Sequence, residues 1–245
     1  MDVQRYLKRI SFEKQNEATV DYLTKLQKHH MEIIPFENLD VTRKVDIKLD
    51  LDRFYKKIIR NQRGGFCYEL NGLFQNLLTE LGIQSHLISC TVKKTNGWAK
   101  PNTHAAIIVN LDKPYLVDVG FGDSARQPIP LSGEERKDVS GTYRVMKNDD
   151  GSFDLQRFEE DWRILYRFSE SVKQLEDFTE GCLYNQISPD STFTHGDIVT
   201  IATEVGRISL SGLTVTVTKN GEKEKWELKA DEKDNFIQKN FRIIL

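Results

Sequence analysis

One cysteine of the chain stands where a nucleophile would be expected. Cys67 follows two glycines, Gly64 and Gly65, and comes just before a stretch with helical spacing, Glu69 to Leu81. The glycines allow a tight backbone turn and a close approach to a ligand. The positive end of the helix favours a negatively charged sulfur at this position. The residues alone leave two interpretations open: an activated nucleophile, or a buried structural cysteine of the kind common in protein cores.

A nucleophilic cysteine needs a base, and His104 with Asp118 forms a candidate pair. His104 begins one apolar stretch, and Asp118 interrupts another, where an unpaired carboxylate would be costly to bury. A hairpin turn centred on Asp112 places His104 opposite Gly120 and makes His104 and Asp118 diagonal neighbours on one face. A shift of one residue in the pairing would put them on opposite faces. A structural histidine with an unrelated aspartate therefore stays open as the alternative.

The remaining cysteines and histidines have plainer interpretations. Cys90 lies on a predicted strand and is expected in the core, and Cys182 has no evident role. The sequence contains neither a CxxC nor an HExxH motif, so we expect neither a disulfide scaffold nor a metal site. Packing or surface positions are expected for the other four histidines, which are His29, His30, His86 and His195.

Hydrophobic spacing divides the chain into three segments that must position these residues. Helical spacing dominates from Gln4 to about Gly82, and strand-like spacing from Ile83 to about Arg167. A helical patch at about 170–185 then precedes further strands, a hairpin signal at Asn220-Gly221 and a short helical tail at about 231–240. No linker rich in Pro, Gly or Ser separates the segments, so we expect them to pack as one unit.

Composition excludes several classes of function. The chain has 245 residues, with 35 Lys and Arg against 37 Asp and Glu, and a formal net charge of −2. This balance gives no electrostatic case for a nucleic-acid or anionic membrane partner. No apolar run approaches the ~18 residues of a membrane helix, and the first residues lack the apolar stretch of a signal peptide. With only 3 Cys, the sequence predicts a reduced, cytoplasmic, globular protein.

Five separated motifs, taken in order, resemble the arylamine N-acetyltransferase family. The similarity runs from about Val20 to Phe193 and continues more weakly to the end. The motifs are Ile34-Pro-Phe-Glu-Asn-Leu39, Arg63-Gly-Gly-Phe-Cys-Tyr-Glu-Leu-Asn71, Thr103-His104, Tyr115-Leu-Val-Asp-Val-Gly-Phe-Gly122 and the stretch from Tyr184 to Phe193.

The resemblance implies an α+β fold with a core arranged as in papain-like cysteine proteinases. A helical bundle over residues 1–83 would carry the cysteine, and an antiparallel β-barrel over 84–168 would carry the histidine and the aspartate. An interdomain helical segment and an α/β lid would follow over 169–245.

The resemblance also implies a reaction. Cys67 would be the acetyl-accepting nucleophile, His104 its base, and Asp118 the residue that orients His104. Acetyl-CoA, as donor substrate, would acylate Cys67. A small arylamine, hydrazine or N-hydroxyarylamine would then take the acetyl group, which is ping-pong chemistry. Neither a permanently bound cofactor nor a metal is expected.

Other matched positions point to substrate contacts. Phe36 and Phe121 correspond to aromatic pocket positions that would suit a flat arylamine, although ordinary core packing is the alternative. Thr192 and Phe193 match a region that contacts CoA in some family members. The segment before His104 departs from the glycine-rich version of many bacterial members, which bears on acceptor specificity and on the contacts to CoA.

Three further positions are expected to support the site without reacting. Glu37 and Arg63 match an ion pair that pins the loop before Cys67. Asn71 would support Asp118 by donating a hydrogen bond.

The same triad would also serve other reactions. An amide synthase of the same family would close a polyketide amide, and a cysteine hydrolase or transglutaminase-like enzyme would release the acyl group to water. Exclusion of water would distinguish a transferase from a hydrolase. A non-enzymatic module is disfavoured because Cys67, His104 and Asp118 are all present.

Overall fold

The computed structural model describes residues 1–15 and 17–244, which form helices and two antiparallel sheets. The helices are α1 (Val3–Arg9), α2 (Val20–Ile33), α3 (Leu39–Thr42), α4 (Leu51–Tyr55), α5 (Cys67–Glu80), α6 (Thr179–Ile187) and α7 (Lys233–Phe241). The strands are β1 (Phe36–Glu37), β2 (Ser85–Val92), β3 (His104–Asn110), β4 (Pro114–Val117), β5 (Ile129–Pro130), β6 (Arg136–Asp138), β7 (Gly141–Lys147), β8 (Phe153–Phe158), β9 (Trp162–Phe168), β10 (Ile198–Thr203), β11 (Gly206–Ser211), β12 (Thr214–Lys219) and β13 (Glu222–Glu227).

The N-terminal helices pack around α5, and buried residues occur on nearly every side of this helix. A helix with so wide an apolar surface belongs in a core rather than at a surface. Helix α4 passes directly into one π-helical stretch, Lys56–Arg60, which also packs near α1. The fully buried side chains of α5 include Leu70, Leu73, Phe74, Leu77 and Leu78.

Eight strands form a nearly closed antiparallel barrel, in the order β5-β4-β3-β2-β9-β8-β7-β6. In the β3–β4 hairpin, Ile107 lies opposite Val117 and Ile108 opposite Leu116. This is the register that a turn centred on Asp112 predicts, so the side-chain faces follow the expected pattern. Strands β7 and β8 form a further antiparallel hairpin of the barrel, in which Lys147 lies opposite Phe153.

A five-stranded sheet in the C-terminal part has the order β1-β10-β11-β12-β13. Its last hairpin turns at Asn220-Gly221, as the sequence predicts. One face packs on α7, where Val199, Leu210 and Val215 meet Ile237 and Phe241. The opposite face is described with the site below.

The N-terminal region supplies the edge strand of this C-terminal sheet. Phe36 in β1 pairs with Thr200 in β10 and also forms a parallel bridge with Gly65. Just after β1, the Asn38 side chain donates hydrogen bonds to the carbonyls of Phe193 (2.8 Å) and Gly196 (2.9 Å). The expected α+β architecture, with helical bundle, barrel and C-terminal α/β part, is confirmed. The division at residues 83 and 168 stays a prediction.

Two predicted helical boundaries are wrong. The patch expected at about 170–185 begins later, with a 3-10 turn at Leu175–Phe178 followed by α6. The preceding Lys173 instead donates its N–H to the Leu87 carbonyl at 2.9 Å, so this backbone pairs with the barrel and cannot be helical. The tail helix α7 begins at Lys233 rather than at 231, because a 3-10 turn comes first. Within the described ranges, no helix is both long and apolar enough to cross a membrane.

Candidate active site

Cys67 is the first residue of α5 and is 2% exposed. The two preceding glycines do not have the role expected of them. A Cβ atom at Gly64 would lie 2.2 Å from the Pro35 carbonyl oxygen, and one at Gly65 would lie 2.9 Å from Glu69 Cβ. The glycines are therefore needed for close packing of this loop against β1 and α5, rather than for approach to a ligand.

A buried cap fixes the start of α5. The Phe66 N–H donates to Glu69 Oε2 at 3.0 Å, which satisfies an amide next to the helix start. Lys57 Nζ lies 3.0 and 2.9 Å from the two Glu69 oxygens, and 2.8 Å from Asp40 Oδ2. Burial lowers the pKa of Lys57, but the carboxylates of Glu69, Glu37 and Asp40 outweigh this and raise it. Lys57 is therefore held as a cation beneath the loop.

The expected ion pair between Glu37 and Arg63 is present. Arg63 Nε lies 2.9 Å from Glu37 Oε1, and its Nη2 lies 3.0 Å from Oε2. The same Nη2 is 2.9 Å from Asp40 Oδ1, which joins this pair to the Lys57 cluster. Together these contacts tie the loop before Cys67 to β1 and to the π-helical stretch after α4.

His104 and Asp118 form a buried hydrogen-bonded pair. His104 Nε2 lies 2.8 Å from Asp118 Oδ2, and the two side chains are 4% and 2% exposed. Burial raises the pKa of Asp118, but the charge of His104 and hydrogen bonds outweigh this and lower it. Asp118 is thereby held as a carboxylate where the sequence predicts a partner for His104.

Three further donors hold the Asp118 carboxylate. Its Oδ1 accepts from Asn71 Nδ2 at 2.9 Å and from the Gly120 N–H at 2.8 Å. Its Oδ2, which faces His104, also accepts from the Tyr166 hydroxyl at 3.0 Å. The expected support by Asn71 is confirmed. Asn71 also accepts from the Val119 N–H at 3.0 Å, so it links α5 to the segment after β4.

Cys67 lies next to the segment that carries His104 and lines the same cleft. Burial lowers the pKa of His104, but Asp118 and, to a smaller extent, Cys67 outweigh this and raise it to about 10. The Cys67 sulfur also lies 3.9 Å from the Thr103 carbonyl oxygen. The structure thus places Cys67 near the hydrogen-bonded pair of His104 and Asp118, with Cys67 and His104 in the wall of one cleft.

Cys67 and His104 border a cleft of about 990 Å³, and the predicted substrate-binding residues also border it. Phe36, Phe121, Thr192 and Phe193 all line it together with Cys67 and His104. The Phe121 ring lies 5.2 Å from the His104 ring, and the Phe36 ring 5.9 Å from that of Phe193. Phe121 therefore lies beside His104, whereas Phe36 lies next to Phe193 in the wall of the same cleft.

Comparison with known proteins shows the family to which the chain belongs. The sequence profile of the N-acetyltransferase family matches residues 19–245. The chain belongs to the arylamine N-acetyltransferase family. It is an acetyltransferase enzyme, and the expectation drawn from the five motifs is confirmed.

Two curated relatives show how far the similarity extends. The pineal gland arylamine N-acetyltransferase isozyme NAT-10 of Gallus gallus is 32% identical over 276 aligned positions, covering 100% of this chain and 95% of that protein. The uncharacterized acetyltransferase YvcN of Bacillus subtilis is 34% identical over 194 positions, covering 76% of each chain.

Solved arylamine N-acetyltransferases share the whole fold. The NAT3 enzyme of Bacillus cereus superposes with a TM-score of 0.94 at 28% identity, covering 100% of both chains. The Bacillus anthracis enzyme superposes with a TM-score of 0.93 at 27% identity, covering 99% of both. The B. cereus enzyme has a Cys-His-Glu catalytic triad. In the present family member, the carboxylate that meets His104 is Asp118.

Sequence reasoning missed two supporting residues of this acetyltransferase. Tyr166 lies 48 residues from Asp118 in the sequence and reaches it only because β9 pairs with β2 in the barrel. Lys57 lies 12 residues from Glu69, too far for a helical-neighbour rule to connect them. No local pattern marks either contact. The other cysteines fit their interpretations, since Cys90 is in the barrel core and Cys182 is buried.

No group of three or more potential metal-ligating side chains occurs in residues 1–15 and 17–244.

Proposed function

We propose that this enzyme transfers the acetyl group of acetyl-CoA to a small arylamine or hydrazine through an acetyl-Cys67 intermediate. The observation that carries the proposal is the buried hydrogen bond between His104 and Asp118, with Cys67 and His104 together in the wall of the cleft. A buried cysteine at a helix start, beside a histidine held by a carboxylate, is the arrangement of an activated nucleophile.

The first half-reaction acylates the enzyme. His104 takes the proton of the Cys67 thiol, and the sulfur attacks the thioester carbonyl carbon of acetyl-CoA. Backbone N–H groups next to Cys67 hold the oxyanion of the tetrahedral intermediate. As the intermediate collapses, the bond to the CoA sulfur breaks. His104 gives its proton to that sulfur, which leaves acetyl-Cys67, neutral His104 and free CoA.

The second half-reaction returns the enzyme to its starting state. The amine nitrogen attacks the acetyl carbonyl carbon, and neutral His104 takes a proton from that nitrogen. The bond to the Cys67 sulfur then breaks and the acetylated amine leaves. Asp118 fixes the ring orientation and stabilises the protonated imidazole throughout. The same steps would acetylate the oxygen of an N-hydroxyarylamine.

Different residues of the cleft would contact the two substrates. Phe36 and Phe121, which line the cleft together with Cys67 and His104, would hold the flat ring of the acceptor. Thr192 and Phe193 would contact CoA, which is a substrate rather than a resident cofactor. A reducing cytoplasmic setting suits this chemistry because Cys67 must be a free thiol.

Intact-protein mass spectrometry tests the proposal directly. After mixing with acetyl-CoA and no amine, the protein should gain one acetyl group that maps to Cys67. Adding an aniline or a hydrazide should remove it. Cys67→Ala should remain unmodified, whereas the matched variant Cys182→Ala should be acetylated like the parent, because Cys182 lies outside the triad.

Other results would point elsewhere. Loss of the acetyl group to water at the same rate without amine would indicate a hydrolase. An acetyl group that persists in the presence of amines would favour the amide-synthase alternative. A folded protein that gains no acetyl group would contradict the proposal.

A further inference from the structure

The two faces of the C-terminal sheet differ sharply in chemistry. Strand pairing places Thr200, Ser209 and Thr216 in one row across the sheet, with Lys225 next in line on β13. All four of these residues line the cleft. Along each strand, the residues that alternate with this row have their side chains on the opposite face of the sheet, which packs on α7. The face turned to the substrates therefore carries hydroxyl groups and cations.

Arg207 lies on this polar face next to the expected acceptor pocket. Its Nη1 donates to Thr200 Oγ1 at 3.2 Å, and Thr200 is the cross-strand partner of Phe36. A Cβ atom at Gly122 would lie 3.4 Å from Thr200 Cγ2, so the segment after Phe121 borders the same threonine. Thr200 thus lies between the Arg207 guanidinium and the two aromatic positions, Phe36 and Phe121.

The charge of Arg207 is poorly compensated by protein groups. Its side chain is 11% exposed, and its Nε lies 3.3 Å from Asp123 Oδ1. Within the described part of the chain, neither its Nε nor its Nη2 makes a hydrogen bond. Burial, together with the positive charge of Arg126, lowers the pKa of Arg207 despite the attraction of Asp123. A desolvated guanidinium with so few partners favours an additional anion.

The carboxylate of Asp123, which lies beside Arg207, is shared with other cations. Asp123 Oδ2 lies 2.8 Å from Arg157 Nη1, and Lys223 also contributes to lowering the pKa of Asp123. Seven lysines and arginines but only three acidic residues occur among the described residues that line the cleft. The cleft is therefore positive in a chain whose formal net charge is −2, and electrostatic attraction would concentrate anionic substrates there.

We propose that Arg207 is a specificity-determining residue that binds an anionic group, such as a carboxylate, on the ring of the acceptor amine. The proposal rests on the proposed acetyl transfer for its catalytic meaning, and it names the acceptor class as anionic arylamines. The ring would lie against Phe36 and Phe121, and the carboxylate would be directed towards Arg207. A guanidinium and a carboxylate form strong charge-assisted hydrogen bonds.

Two amines that differ in charge alone provide the test. 4-Aminobenzoate and 4-aminobenzamide have the same ring and the same reacting amine, but only the first is an anion. Their binding to the unacetylated protein is measured by titration calorimetry, and their kcat/KM values with acetyl-CoA are measured in parallel. The wild type should prefer the carboxylate in both measurements.

Substitution of Arg207 should change that preference selectively. Arg207→Gln should lower the benzoate-to-benzamide ratio by about tenfold, the scale of one charge-assisted hydrogen bond. Arg207→Lys should restore part of it. The matched control Arg136→Gln removes a positive charge on the barrel outside the cleft, and should keep the wild-type ratio.

A second variant guards against misfolding of the arginine variants. Asp123→Asn removes the carboxylate that competes for Arg207, so the ratio should rise. Arg157 would still be held by Glu159, which lies 2.7 Å from its Nη2.

Three results would overturn the proposal. One is an equal effect of Arg207→Gln on both amines, and another is an unchanged ratio in every variant. The third is a rise in KM for acetyl-CoA that vanishes with acetyl-N-acetylcysteamine, a thioester without phosphates. That result would assign Arg207 to the donor. Calorimetry needs no acetyl transfer, so a failure of the proposed reaction at Cys67 is distinguishable from a failure at Arg207.

Discussion

The charged groups on the two walls of the cleft differ in how many protein partners they have. On the barrel side, Asp118 accepts four hydrogen bonds from protein donors, one of them from His104. On the sheet side, Arg207 donates one hydrogen bond to Thr200 and shares one carboxylate with Arg157. The pair of His104 and Asp118 is therefore fixed by protein groups, whereas protein groups compensate the charge of Arg207 on the opposite wall less completely.

The largest effect should come from a substitution of Asp118 on the barrel side of the cleft, which we call the fixed wall. Asp118→Asn removes the charge that stabilises protonated His104, and should slow CoA release from acetyl-CoA by about 10³- to 10⁴-fold, as in serine-protease triads. Rapid-mixing measurement of the CoA burst gives the rate. Asp154→Asn is the matched control, because Asp154 is an equally buried barrel carboxylate that pairs with Arg167 instead. Near-normal turnover in Asp118→Asn would mean that another group orients His104.

The next effect concerns stability beneath the nucleophile. Lys57→Met would leave Glu69, which is 3% exposed, without its cation, and breaking such a buried pair costs about 3–5 kcal/mol. Denaturant unfolding should show a loss of this size. Lys25→Met is the control, because Lys25 forms an exposed pair with Asp21 and should change stability by less than about 1 kcal/mol. Equal losses in the two variants would show that the Lys57 cluster adds no special stability.

The pH dependence of unfolding should report on His104. Its pKa is raised from 6.5 to about 10 in the folded protein, so the folded state holds this proton more tightly than the unfolded state. The resulting stabilisation is complete below pH 6.5 and is lost as pH rises towards 10. The free energy of unfolding should therefore fall over that window in the wild type, and fall less in His104→Gln. Parallel curves for the two proteins would contradict the raised pKa.

The smallest effect should come from Tyr166, which supports the fixed wall from one side. Tyr166→Phe removes one of the four hydrogen bonds to Asp118, a net contribution of about 1 kcal/mol, and should slow acylation of Cys67 roughly fivefold. KM for the acceptor should not change, because Tyr166 does not line the cleft. The control is Tyr143→Phe, since Tyr143 is another buried barrel tyrosine whose hydroxyl contacts Ser140. A Tyr166→Phe variant with a raised acceptor KM would contradict this assignment.

The sequence predicts the fixed wall well because its information is local. The helix start marks Cys67, and the hairpin turn at Asp112 sets the register that brings His104 to Asp118. Each step uses a short stretch of chain and a periodicity of known length. The family motifs then select the same three residues independently.

Much of the opposite wall could not be predicted, because it depends on which sheet face meets the cleft. The alternation of Thr and Val in β12 shows that one face is polar, but not that this face meets Cys67 across a cavity. Arg207 comes close to Phe36 only because β10 pairs both with β11 and with the strand that carries Phe36. The contact of Tyr166 with Asp118 is nonlocal in the same way.

The two-residue strand β1 determines when the site can be completed during synthesis. It pairs with β10, and the neighbouring Asn38 accepts a hydrogen bond from the Ile198 N–H, 160 residues away in the sequence. A ribosome-bound chain that still lacks β10 to β13 has no wall opposite Cys67. Closing so long a loop is entropically costly and slow. The cleft beside Cys67 is therefore completed only after these strands, Ile198–Glu227, have emerged.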